Sequence, residues 1–391
     1  MEADKLKAAV INEIDARREE LNGLSLKIHA NPELGFHEFK AAEWLTGYLE
    51  ENGFSLERSI CQMPTAFKAS YGNGKPALAI MAEYDALPGL GHACGHNLIC
   101  TMAVGAAIAA KVAVGRFGGT IMVIGTPAEE IYGGKAIMAE RGAFNNLDIA
   151  MMAHPGVDDT ATIQSLANQI IEVKFYGRAA HAAARPEAGV NAAEAMSLSF
   201  AAINSLRQHI KGTARIHGIV TNGGEAANIV PAYSAGLFKV RATDDVYLAE
   251  LKQKVLNCFT GAATASGARL EYEWGEGGYA PMRNNLSLAN LFKQNMESLG
   301  RKVRLSASGD GAGSTDMGNV SQLVPSIHPR VAITGDKGIA GHSPQFAEAA
   351  ASAGGIKGML DAAKAMAMTV VDLLANPELI ISARKEFEQR K

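Results

Sequence analysis

Three short runs constrain this chain more than anything else in it. Ala77–Ala82 is apolar along its whole length, and Gly119–Gly125 and Leu147–Ala153 are apolar apart from Thr120 and Asp148 near their starts, with no alternation of polar and apolar positions. A strand of that kind is buried on both faces, which a mostly parallel sheet covered by helices provides. Helical segments separate the runs. Leu98–Val114 is a Gly/Ala-rich apolar stretch interrupted by Lys111, short for a membrane span, and is read as a buried helix. Lys5–Ala30 reads as one helix stopped near Asn31-Pro32, and Glu38–Glu51 as another ended by Asn52-Gly53. Strands alternating with helices in this way predict an α/β domain.

Each apolar run leads into groups that can carry chemistry. Beyond Ala82 come Glu83 and Asp85, then the turn Gly91-His92-Ala93-Cys94-Gly95-His96-Asn97. Beyond Gly125 stand the adjacent carboxylates Glu129 and Glu130, and beyond Ala153 stands His154. Open α/β sheets build their sites along the carboxyl edge of the strands. Thiolate, imidazole and carboxylate together are the donor set of a borderline-soft divalent ion. Adjacent carboxylates at a buried sheet edge repel unless a cation lies beside them, and one can bind metal while the other acts as a base. With His342, in the loop Gly341-His342-Ser343-Pro344, the donors become Cys94, His96, Glu130, His154 and His342. That exceeds one tetrahedral site with an open position and points to two ions sharing a bridge. Asp85 and Glu83 are expected to orient an imidazole from behind.

From about Ala167 the pattern changes. Ile170–Tyr176 alternates, a helix is expected over Val190–Ile210, and Arg215–Thr221 and Leu237–Ala242 read as strands. A helix over Tyr247–Thr264 and a strand over Arg269–Trp274 complete β-α-β-β-α-β, the ferredoxin-like split pattern. The expected organisation is a discontinuous domain of residues 1–167 and 281–391 with residues 168–280 inserted. A length of 391 residues suits two domains better than one core. An unpaired edge strand in the insert is suited to pairing across a two-fold axis. In the last segment Leu286–Leu299 reads as a helix, Arg330–Thr334 as a strand and Lys357–Leu374 as a helix. Gly309–Gly313 is glycine-rich but lacks the spacing and the strand–helix setting of a dinucleotide fingerprint.

A net charge of −3 offers no basic face for nucleic acid and no polybasic patch for a membrane. The amphipathic N-terminus has no signal-peptide apolar core, and the four cysteines have no framework spacing, so a cytoplasmic protein is expected. Cys94 and Cys100 do not form a Cys-x-x-Cys redox pair.

The series Ala82–Pro88, His92–Asn97, Thr126–Glu130, Ala153–Pro155 and Gly341–Pro344 resembles the aminoacylase-type metallopeptidase/amidohydrolase family, the M-twenty peptidases. The resemblance spans nearly the whole chain. It is nearest to the branch of hippurate hydrolase, indoleacetyl-amino-acid hydrolase and the B subunit of aminobenzoyl-glutamate hydrolase. It implies two divalent ions per subunit, Zn or Mn with Co or Ni also compatible, held by Cys94, His96, Glu130, His154 and His342. It implies Glu129 as general base and proton shuttle toward a metal-activated water, and an inserted lid domain that carries a homodimer contact. Gly177–Ala182 resembles the lid motif whose histidine, here His181, polarises the scissile carbonyl. Gly223–Pro231 resembles the segment whose asparagine, here Asn228, contacts substrate. Arg241, at a strand end, is a further candidate for a substrate carboxylate, against the plainer reading of a surface ion pair. Ser314–Ser321 resembles the aminobenzoyl-glutamate and β-alanyl-dipeptide hydrolase version of its segment, either lining the substrate pocket or forming a glycine loop. The chain departs from other relatives at Asn97, where many carry Asp, and at Glu83-Tyr84-Asp85, where others carry His-x-Asp; Cys94 is taken as the bridge. The implied activity is hydrolysis of N-acyl amino acids or related small amides. The alternatives are a dipeptidase of the same family and a non-catalytic metal-binding homologue.

Overall fold

The structure is a computed structural model, and it describes residues 2–275, 277–307 and 313–389. The glycine cluster noted above therefore lies outside the described residues, apart from Gly313. Strands β1 (Ser55–Arg58), β2 (Phe67–Asn73), β3 (Ala77–Ala82), β4 (Gly119–Gly125), β5 (Ile149–Met151) and β6 (His154–Gly156) come first. They are followed by β7 (Ala167–Tyr176), β8 (Arg215–Asn222), β9 (Tyr233–Ala242), β10 (Arg269–Trp274), β11 (Ser326–Ile327) and β12 (Arg330–Ala332). The chain divides into two compact units. One is Met1–Gln164, Met282–Ala312 and Asp316–Lys391; the other is Ser165–Pro281 with Gly313–Thr315.

In the first unit the sheet order is β1-β2-β4-β3-β5-β11. The pairs β4–β3, β3–β5 and β5–β11 are parallel, whereas β1 and β2 add an antiparallel edge. The sequence reading missed that edge because β1 is almost wholly exposed and β2 is buried only at alternate positions near its start. β3 is buried at every position, as its apolar run requires. The third run is shorter than read. Met152 N–H donates to Ile327 O and His154 N–H to Pro329 O, so the chain leaves β5 and pairs afresh as β6 alongside β12.

The expected first helix is two, Glu2–Ala16 and Arg18–His29, separated at Arg17 where the backbone turns to φ −94°, ψ 9°. His96–Phe117 is long and apolar enough to cross a membrane, yet it is a core helix, packed on β3 and β4 and against Ala353–Ala375. Its small residues allow close approach: a methyl group at Gly105 would stand 3.0 Å from Leu21 Cδ1. Sequence reading did not identify Glu129–Tyr132, Gly134–Glu140, Met317–Leu323, Pro344–Ala350 or Pro377–Gln389, helices that also belong to this unit.

The second unit is a four-stranded antiparallel sheet in the order β10-β7-β9-β8. Helices Ala192–Leu206 and Asp245–Ser266 pack on β7 and β9 and on each other, around Phe175, Phe238, Leu251 and Phe259. Asn191 and Asp244 cap the two helices through side-chain oxygens, Asn191 accepting from the Ala193 and Glu194 N–H groups and Asp244 from that of Tyr247. β8 is an edge strand, with Ile219 and Val220 exposed.

Candidate metal centre

β3 delivers Glu83 and Asp85, both 1% exposed, directly past its last residue. The chain then turns at Gly91 and Gly95, where φ is +63° and +79°, values that favour glycine. A Cβ at Gly95 would lie 2.8 Å from Pro155 Cγ, so the turn is seated directly on the residue after His154. That seating brings Cys94 Sγ to 3.4 Å from His154 Nε2.

β4 leads to Ala128, a non-glycine residue held at φ +60°, which starts the short helix bearing Glu129 and Glu130. Such backbone costs about 1–2 kcal/mol and persists where surrounding contacts enforce it. Here buried Glu38 accepts the Ala128 N–H at 2.8 Å and the Thr65 hydroxyl at 2.9 Å. Burial, reinforced by the negative charge of Asp85, raises the Glu38 carboxyl to about 7. His342 is likewise held at φ +60°, with its N–H donated to Ala93 O.

Asp85 ties two of these segments together. Its Oδ1 lies 3.0 Å from His96 Nδ1, and its Oδ2 accepts the Glu130 N–H at 3.0 Å. The Nδ1 proton of His96 is fixed by this contact and by the Asp85 backbone O at 2.9 Å, leaving Nε2 directed inward. His154 Nδ1 lies 2.7 Å from Pro155 O, which fixes the same tautomer there.

The inward atoms converge. His96 Nε2 is 3.5 Å from Glu83 Oε2 and 3.7 Å from Glu130 Oε1, and His342 Nε2 is 3.4 Å from Glu130 Oε2. Glu83 Oε2, His96 Nε2 and Glu130 Oε1 are buried without a hydrogen-bond partner among the described residues. Buried polar atoms are normally satisfied, and donors about 2.0–2.3 Å from one ion stand about 3.3–3.8 Å from each other. The atoms His96 Nε2 and Glu130 Oε1, with His342 Nε2 and Cys94 Sγ near them, thus fit a divalent cation. Cys94, His96 and His154 form one compact group and Cys94, Glu130 and His342 another, with Cys94 common to both.

The electrostatics agree with such a site. Burial opposes charge on His96, but Cys94 and Asp85 outweigh it and raise the imidazole well above its ordinary value, so the anionic surroundings put on Nε2 a proton that a bound cation would displace. Burial lowers His154 to about 4, so it is a neutral donor at neutral pH. Burial pushes the Cys94 thiol up, helped by Glu130, an anion-rich setting that a cation would reverse. Burial, then Glu83 and Glu130, raise Glu129 well above the usual carboxylate range.

Some site residues had no local signal. Lys135 is fully buried, with Nζ 2.5 Å from Glu83 Oε1 and 2.9 Å from Asp316 Oδ1. Burial opposes its charge, yet Asp316 and Glu83 hold its proton well above the ordinary lysine value. His328 is 3% exposed, with its ring 5.4 Å from that of His154. Asn97 is a structural tie, donating to Ser25 Oγ and Ala350 O. Cys100 is buried and donates to Asn97 O, away from any redox pairing with Cys94.

The second unit holds the remaining candidates. His181 and Asn228 are exposed there and belong to neighbouring segments, joined by a bridge between His181 and Ile229 and by Ala182 N–H donating to Asn228 O. His181 Nδ1 accepts from Ala183 and Ala184 N–H, which places the ring proton on Nε2 as an outward donor. Arg241 does not form the ordinary surface ion pair. It is half-buried, it donates to Ser314 Oγ at 3.1 Å, and no carboxylate meets it among the described residues.

A buried carboxylate beside a nitrogen, sulfur and oxygen donor cluster, at the carboxyl edge of an α/β sheet, defines a metal-dependent hydrolase. The chain matches the family described as Peptidase family M20/M25/M40 over residues 79–365, and it belongs to that family. It is an amide-cleaving hydrolase. It is 39% identical to the Xaa-Arg dipeptidase of Mus musculus, covering 99% of this chain and 93% of that one. It is 31% identical to the B subunit of p-aminobenzoyl-glutamate hydrolase from Escherichia coli, covering 96% and 93% of the two chains. Among solved structures, the YXEP protein of Bacillus subtilis, described as a dinuclear metal binding peptidase, superposes with a TM-score of 0.69 at 20% identity. That match covers 92% of this chain and 99% of the other.

Proposed function

We propose that this protein hydrolyses the amide bond of N-acyl amino acids or dipeptides, using two divalent ions held by Cys94, His96, Glu130, His154 and His342. The observation that carries this reading is the convergence of donor atoms from three strand ends beside Glu129, with His96 Nε2 and Glu130 Oε1 buried and lacking a hydrogen-bond partner among the described residues. Bound there, the ions supply a lowered pKa to a coordinated water and polarisation of the amide carbonyl. Two donor groups sharing Cys94 would together hold a pair of ions, Cys94 contributing to both groups.

The protein's own residues manage the protons. Glu129, 8% exposed and surrounded by Glu83, Glu130 and Asp316, has a carboxylate readily protonated. It accepts the proton of the attacking water and delivers it to the departing amine. Asp85 keeps the His96 lone pair aimed inward. His181 offers its Nε2 proton to the carbonyl oxygen as charge develops. Asn228 contacts substrate, and Arg241, with no carboxylate partner among the described residues, takes the substrate carboxylate.

The 39% identity with a relative named Xaa-Arg dipeptidase, over 99% of this chain, favours the dipeptide end of the range. The exposed edge strand β8 supports a homodimer formed by sheet extension. Four unpaired cysteines support a cytoplasmic setting. The test is a chelator-stripped protein reloaded separately with Zn, Mn, Co or Ni. It is then assayed on hippurate, acetyl-amino acids, β-alanyl dipeptides and Xaa-Arg dipeptides. Metal-dependent release of a free amino acid from one class is the expected result; a loaded protein that cleaves none of these refutes the reading.

A further inference from the structure

Beside the candidate metal centre lies a second cation-binding arrangement, made only of oxygen. Glu83, Glu129 and Asp316 are buried, and one oxygen of each lies within 4.8 Å of the others. Three carboxylates that close, in a dry setting, require a compensating positive charge. Unlike the sulfur–nitrogen cluster next to it, this one receives a side-chain cation. Lys135 Nζ reaches Glu83 Oε1 at 2.5 Å and Asp316 Oδ1 at 2.9 Å, and Lys135 N–H donates to Asp316 Oδ2 at 2.8 Å. Both oxygens of Asp316 are thus taken by one residue, and Glu83 is held by one oxygen with the other, Oε2, turned to His96 Nε2.

We propose that Lys135 is a built-in cation that fills the Glu83–Glu129–Asp316 cluster and keeps it from taking a divalent ion. Metal is thereby confined to the neighbouring donors, and Glu83 is positioned against His96. A tethered ammonium satisfies the carboxylates without exchanging into solvent, whereas an all-oxygen pocket would favour hard ions such as Mn²⁺ or Mg²⁺. Lys135 is a positioning residue in this scheme, acting on the site through Glu83. The inference rests on the neighbouring cluster being the metal site.

The experiment compares metal uptake in the full-length native protein and in Lys135→Met, Lys135→Met/Asp316→Asn and Asp316→Asn. Each is stripped by chelator, titrated with Mn²⁺ by calorimetry, and counted by elemental analysis after gel filtration. Lys135→Met is expected to bind one more Mn²⁺ per subunit than the native protein. The double variant is expected to return to the native count, and Asp316→Asn to keep it. A folded Lys135→Met protein with the native count overturns the proposal. So does an Asp316→Asn protein that loses an equivalent, since Asp316 would then be a metal ligand; this arm decides the matter if Lys135→Met does not fold. A native protein that binds no ion refutes instead the metal site on which the inference rests.

Discussion

Asp85 offers the most direct route to the logic of the centre, because each of its oxygens has a single task. Oδ1 holds the His96 Nδ1 proton and Oδ2 holds the Glu130 N–H, each at 3.0 Å. Asp85→Asn preserves shape but leaves one acceptor, so the new amide N–H₂ must face either the ring or the backbone N–H. A hydrogen bond to a charged group is worth about 1.5–3 kcal/mol, and that much folding stability should be lost. If the surviving oxygen stays with Glu130, the His96 Nδ1 proton is left with the Asp85 backbone O alone, 2.9 Å away, and the ring loses the carboxylate that orients it and strengthens Nε2 as a donor. Disturbing such supporting contacts costs about 10- to 100-fold in metal affinity, equivalent to about 1.4–2.8 kcal/mol. The assay is competition for Zn²⁺ or Mn²⁺ against a chromogenic chelator, with urea unfolding of the metal-free proteins run in parallel. A folded Asp85→Asn protein whose affinity stays within about twofold of native, well below that range, would refute the reasoning.

Other expectations follow from the same geometry. Glu129→Gln should keep its metal while kcat falls by about 10²–10⁴; undiminished turnover at full loading would remove Glu129 from the proton path. Gly95→Ala forces a side chain onto φ +79° and a Cβ within 2.8 Å of Pro155, so melting temperature and metal affinity should drop together. An unchanged melt would show that the turn can slide off Pro155. His92, 2% exposed, is lowered to about 3 by burial, with His96 adding to the effect. The unfolded chain therefore takes up this proton below about pH 6.5, whereas the folded chain does so only near pH 3. Stability present above pH 6.5 should decline on acidification at up to about 1.4 kcal/mol per pH unit. Urea midpoints of metal-free His92→Gln should be flatter than native between about pH 6 and pH 4, and parallel curves would count against the assignment.

The parts of the fold that were legible in advance depend on local pattern. An apolar run with no polar face, as in β3 and β4, can only be covered on both sides, and its covering helices follow from the same pattern. The inserted βαββαβ order was legible because its strands and helices alternate with period and length. β1 and β2 were not, because exposed or half-buried short strands bury too little to leave a signature. Break points such as Arg17 and the passage from β5 to β6 answer to neighbours distant in sequence, not to adjacent residues.

The same division runs through the centre. Residue types at successive strand ends determined which donors could meet, and a turn with glycine at two positions determined that Cys94 and His96 could face one point. Only the tertiary structure decided how they are held. Glu38 reaches Ala128 across 90 residues, and Lys135 meets Asp316 across 181. Such pairings carry no periodicity, since a lone lysine or glutamate reads as surface until burial forces it to find a partner. Strand and helix are set by the side chains of a few neighbouring residues; the charge balance of a buried site is set by whatever the whole fold brings within a few ångströms.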